Sequence, residues 1–129
     1  MNRRLLHALV ASLFVIGCDV STGETHDAGS SRLVRTGDIP CAPRAVLAAV
    51  CQNCHTDPPQ NGAPFSQATY ADIDAELDGE PVHARMRRAI EDGRMPLDPY
   101  TLTDEQRTTL LAWLSEGAPP APAGTTCEP

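Results

Sequence analysis

The side chains with the most specific chemical spacing in this chain are Cys51 and Cys54, three positions apart, and His55 directly after them, in Cys51-Gln52-Asn53-Cys54-His55. Each thiol of such a pair can form a thioether to a haem vinyl group, and the histidine then falls beneath the iron as an axial ligand. C-x-x-C-H therefore reads as a c-type haem attachment site. Two other chemistries use closely spaced cysteines. A thioredoxin-like redox pair lies between a strand and a helix of a βαβ unit, whereas here a helical pattern precedes the motif and a Pro-rich loop follows it. A structural zinc site takes four ligands, commonly from two close pairs, and no second C-x-x-C and no H-x-x-x-H follows downstream.

Covalent haem attachment needs an exported chain, and the N-terminus carries the pattern of one. Arg3 and Arg4 precede an apolar run from Leu5 to Ile16, so residues 1–17 read as a secretory signal. The run is shorter than the about 20 apolar residues that span a bilayer. Its end, Val15-Ile16-Gly17-Cys18, resembles the lipobox of bacterial lipoproteins. That likeness implies cleavage before Cys18, acylation of Cys18, and a place in the bacterial cell envelope, on a periplasmic or outer face. Residues 18–39 are rich in Ser, Thr, Gly, Asp and Glu and read as a flexible tether, with a reach of roughly 25 Å. Residues 119–129 read as an extended Pro-rich tail.

Of the five cysteines, one is thus assigned to lipid and two to haem. Cys41 and Cys127 remain, and in an oxidising compartment they are candidates for a disulfide. Closing that loop would contribute roughly 4 kcal/mol in the chain-entropy model; the alternative is two unpaired thiols.

Residues 40–118 form the domain, and four helical segments must position the motif. The first covers residues 43–54, with Pro43 in its first turn and Val46, Val50 and Cys54 along one face. Residues 56–67 hold three prolines and an Asn-Gly pair and read as a loop. Thr69 caps a short helix to Leu77, with Tyr70, Ile73 and Leu77 as its apolar stripe. The third helix spans residues 81–92, with Val82, Met86, Ala89 and Ile90 inward and Gly93 as its stop. Thr103 and Gln106 offer a capping box for the fourth, whose stripe is Leu110, Leu111 and Leu114, with Trp113 beside it. No stretch alternates with period two, so the expected class is all-α, without a sheet.

A helix leading into C-x-x-C-H, a loop, short helices, an isolated Met-Pro and an amphipathic last helix together resemble the small class I cytochrome c domain, over residues 41–117. The resemblance implies about four helices wrapped around one covalent haem c, with thioethers to Cys51 and Cys54. It also implies iron ligated by His55 on one face and by a loop methionine on the other. Met95, in Gly93-Arg94-Met95-Pro96, matches that methionine; Met86, mid-helix on the apolar stripe, and His83 are the alternatives. The family likeness further implies that a loop proline carbonyl accepts the other ring N–H of His55, with Pro64 as the candidate beside Pro58 and Pro59.

With only two Phe, two Tyr and one Trp in the chain, a porphyrin would fill volume that aromatic side chains fill elsewhere. Cleavage of the signal leaves eight arginines, no lysine and 17 carboxylates, a net charge of −9. Nucleic acid is a poor partner for so acidic a chain, and it lacks the lysines with which many cytochromes c dock. Arg85, Arg87, Arg88 and Arg94 form either a local positive patch or a solvated face neutralised by neighbouring acids. The expected function is a membrane-tethered one-electron carrier for redox partner proteins rather than an enzyme, since no nucleophile-base-acid constellation is visible beyond the motif. A small-ligand sensor or peroxidase-like enzyme, or a noncatalytic haem subunit of a larger complex, are the alternatives.

Overall fold

The computed structural model of the chain describes Arg35 and residues 37–128. The signal segment, Cys18 and most of the tether lie outside the described residues. Helix α1 (Cys41–Ala49) buries Pro43, Val46 and Leu47 and stops five residues earlier than the apolar spacing predicts. Val50 leaves the helical region at φ −122° and a 3₁₀ turn, Cys51–Asn53, carries the motif instead. Asn53 explains the stop: its side-chain amide donates to the carbonyls of Ala49 (3.1 Å) and Val50 (3.0 Å), satisfying acceptors that a continued helix would have used.

Helix α2 (Tyr70–Asp74) begins at a capping box in which the Thr69 hydroxyl accepts from the Asp72 N–H and the Asp72 carboxylate accepts from the Thr69 N–H. It ends before Leu77, because the chain turns into a short antiparallel hairpin of β1 (Glu76–Leu77) and β2 (Glu80–Pro81). The expectation of no sheet is corrected here. Asp78 and Gly79 both have positive φ, 52° and 75°, as a type I′ turn requires, and Asp-Gly is a favoured pair for that turn. Two-residue strands are too short to show alternation.

Helix α3 (Val82–Glu91) buries Val82, Met86 and Ile90, and α4 (Asp104–Ser115) buries Leu110, Trp113 and Leu114. Thr103 and Gln106 close the capping box of α4, with each backbone N–H donating to the other residue's side-chain oxygen at 3.2 and 2.9 Å. The inward stripe of α4 is centred one residue off the expected one. Trp113 is buried while Leu111 is only packed against the core edge, and the Trp113 indole N–H donates to the Pro119 carbonyl at 2.9 Å. Helix α4 packs on α1 and on α3, and α2 packs on α3. Leu47, Ile73, Val82, Leu110 and Leu114, all essentially inaccessible, form the centre. Each such side chain contributes about 1.5–3 kcal/mol through burial.

Both chain ends of the domain enter the fold further than composition suggests. Ile39, assigned to the tether, is buried in the core, and Arg35 forms an ion pair with the buried Asp74 carboxylate at 2.6 Å while also donating to the Gly117 carbonyl at 2.8 Å. At the other end, Ala118 and, in the tail, Ala121 are buried, and the Ala121 N–H donates to the Asp38 carbonyl at 2.8 Å. Cys41 and Cys127 are joined by a disulfide, their Cα atoms 5.3 Å apart. Residues read as tether and tail thus contribute contacts to the domain. Single anchoring residues set in polar or Pro-rich sequence carry no periodicity by which to read them.

Candidate functional site

Between the motif and α3 lies a cavity of about 640 Å³, within the usual range of about 300–1,000 Å³ for cofactor sites. One side is made by Val50, Cys51, Cys54 and His55, with Pro64, Phe65 and Gln67 of the following loop. The other is made by Met86, Ala89 and Ile90 of α3 and by Met95, Pro96, Leu97, Tyr100 and Leu102. Cys51, Cys54, His55, Met86 and Met95 thus all line one space. His83 is not among the lining residues, which sets it apart from the two methionines as a ligand for anything bound there.

His55 is buried, and its Nδ1 lies 2.9 Å from the Phe65 carbonyl oxygen. A carbonyl only accepts, so Nδ1 carries the proton and donates, which leaves Nε2 with its lone pair available to ligate. The Phe65 ring sits 5.0 Å from the imidazole, centroid to centroid, tilted by 39°. Phe65 rather than Pro64, Pro58 or Pro59 supplies the carbonyl. The register is set by the Gln67 N–H, which donates to the His55 carbonyl at 2.9 Å and draws the backbone two residues before it against the ring. Prolines mark this segment as a loop but do not fix which carbonyl turns inward.

Cys51 and Cys54 carry free thiols. Burial pushes the Cys51 thiol up to about 11, so at neutral pH it is not the thiolate that disulfide exchange requires. The Asn61 side-chain amide donates to Cys54 Sγ at 3.6 Å. Among the described residues, no group of three or more His, Cys, Asp or Glu is placed to hold a bare metal ion, as a closed zinc site would demand.

Met95 is positioned by the end of α3. Gly93, at φ 67°, adopts the left-handed conformation of a Schellman cap. Its N–H donates to the Ile90 carbonyl at 3.2 Å, and the Arg94 N–H donates to the Ala89 carbonyl at 2.8 Å. The Met95 N–H also donates to Ala89 O, at 3.0 Å. The cap thus reverses the chain and presents Met95 to the cavity as a half-buried side chain. Met86, by contrast, is only 5% exposed and belongs to the core cluster with Val82 and Ile90.

Arg85, Arg88 and Arg94 also line the cavity, but each has an acidic partner. Arg88 and Glu80 form a bidentate pair, Arg85 Nε lies 3.3 Å from Glu80, and Arg94 pairs with Asp92 at 3.1 Å. Arg87 pairs with Glu91 at 3.6 Å. The hydrogen bond from Arg88 holds the Glu80 carboxyl below its ordinary value and, reciprocally, raises Arg88. The arginine cluster is thus a neutralised face, with the hairpin supplying Glu80.

Phe65 and Gln67 are the site residues that the sequence did not single out. A backbone carbonyl and one amide in a Pro-rich loop carry no compositional signal. Compared with models of protein families, with curated proteins and with solved structures, the chain matches none.

The donor set fits a haem: two thiols for thioether bonds, an imidazole whose tautomer is fixed by a carbonyl, a thioether opposite, and mostly apolar walls between them.

Proposed function

We propose that the chain is a c-type haem protein, with the porphyrin held by thioethers to Cys51 and Cys54 and the iron ligated by His55 and Met95. Within that class we read it as a one-electron carrier, tethered to a membrane of the cell envelope through acylated Cys18 and exchanging electrons with redox partner proteins. The observation that carries the reading is the convergence of both thiols, His55 and Met95 on one cavity, with the Nδ1–H of His55 committed to Phe65.

When bound, the haem supplies a one-electron iron couple. The protein's own groups determine how that couple behaves. His55 presents Nε2 in a fixed orientation because Phe65 holds the other ring nitrogen. The Met95 thioether favours the reduced metal over what a second imidazole would give. Met86, Ile90 and Val50 line the cavity, and their apolar side chains would keep water from a bound iron. With His55 and Met95 both committed to holding the group, neither would leave a place for a substrate, which favours transfer over turnover.

Absorption spectra of purified pigmented protein test the ligand set. The expected result is a low-spin iron with a weak far-red sulfur-to-iron band that disappears in Met95→Ala and persists in Met86→Ala. Loss of the band in Met86→Ala alone would assign the thioether to α3. A high-spin wild-type iron that readily binds carbon monoxide would favour the sensor or enzyme reading.

A further inference from the structure

Gln67 is 5% exposed and lines the cavity, and its Oε1 is enclosed with no hydrogen-bond donor in reach. Its backbone is held on both sides. The N–H donates to the His55 carbonyl at 2.9 Å, and the carbonyl accepts from Gln52 Nε2 at 3.0 Å. The backbone that carries the carboxamide is therefore fixed in the wall, one hydrogen bond from the His55 carbonyl. Buried side-chain amides are nearly always paired, and an orphaned acceptor costs stability that an apolar side chain of similar size would not. Leu or Met would pack in the same wall without that cost. The oxygen lies within the wall rather than open to the cavity, so it acts on what the cavity holds through its field.

The geometry points to Gln67 as a residue that tunes the bound redox group: its uncompensated carbonyl oxygen, enclosed in the wall that also carries His55, lowers the reduction potential. This rests on the haem reading. The oxygen's partial negative charge stabilises the more positive, oxidised iron, and in a water-poor wall of low dielectric the effect is little screened. Hydrogen bonding and burial around a haem are among the levers that set its potential. Gln67 touches no reacting atom through the backbone bonds described, so its role is electrostatic positioning.

The test is a mediated titration of the pigmented protein between dithionite, which donates the electron to the iron, and ferricyanide, which removes it. Wild type is compared with Gln67→Leu, with Gln67→Met as the second apolar variant should Leu not assemble. Gln60→Leu, an exposed amide in the same loop, is the control. The expected result is a rise of at least threefold in the ratio of reduced to oxidised protein at fixed ambient potential in either Gln67 variant. At 59 mV per tenfold for one electron, that is a shift of about 28 mV, and Gln60→Leu stays at the wild-type value. An unchanged or lowered potential with intact low-spin spectra overturns the role of Gln67 and leaves the haem reading standing. If neither variant assembles a pigment that wild type holds, Gln67 serves assembly and the tuning role is likewise overturned. A wild-type protein without pigment removes the haem reading itself.

Discussion

The two walls of the cavity are built by different means. On the proximal side, Cys51, Cys54 and His55 lie within one turn and a half of chain, and two hydrogen bonds to the following loop, from the Gln67 N–H and to the Phe65 carbonyl, lock them. On the distal side, Met95 depends on a helix ending at one residue: Gly93 must turn left-handed for the Arg94 and Met95 N–H groups to reach Ala89. A wall encoded in contiguous residues tolerates changes elsewhere in the fold. A wall that depends on a helix cap yields to a single backbone change several residues from its functional atom.

Replacing both Cys51 and Cys54 by Ser breaks the proximal wall at its covalent step. The expected outcome is complete loss of pigment that survives denaturant, read by absorbance after gel filtration in guanidinium. Reducing the Cys41–Cys127 bridge disturbs neither wall. It releases an 86-residue span of chain and should lower stability by about 2–4 kcal/mol in chemical unfolding while the folded spectrum keeps its far-red band. Gly93→Ala targets the distal wall alone. No atom lies within 4 Å of the added Cβ, so the cost is conformational, about 1–2 kcal/mol. The far-red band should then be lost at a lower temperature than the proximal signal. A band that melts together with the proximal signal, as in wild type, would mean the cap does not set Met95.

The smallest expected effect is one of pH. The Glu80 carboxyl is held below its ordinary value by Arg88, so its bond is present at neutral pH and is lost as pH falls through that lowered value. Protection of the β1–β2 hairpin amides, taken as exchange relative to the intrinsic rate at each pH, should therefore fall on acidification in wild type and already be low at neutral pH in Glu80→Gln, with neither cavity wall affected.

What could be read from the sequence follows the same division. The motif, the Thr69 and Thr103 caps and the Gly93 stop are local patterns, in which neighbours a few residues apart decide the geometry. Phe65 as the histidine's carbonyl partner, Arg35 as the partner of Asp74, and Ile39, Ala118 and Ala121 as core residues depend on contacts between distant segments. The Asp78-Gly79 hairpin is a third case. Its turn signal is local, but the helical reading of Thr69 to Leu77 absorbed it, because strands of two residues add no period of their own.

The most direct measurement is the intact mass of mature protein, purified from a host able to mature c-type haem and unfolded in denaturant before analysis. The account predicts the polypeptide from Cys18 onward with its acyl groups plus one haem, with tandem fragmentation placing the haem mass on the peptide that contains Cys51 and Cys54. A colourless protein whose mass includes no haem would contradict it.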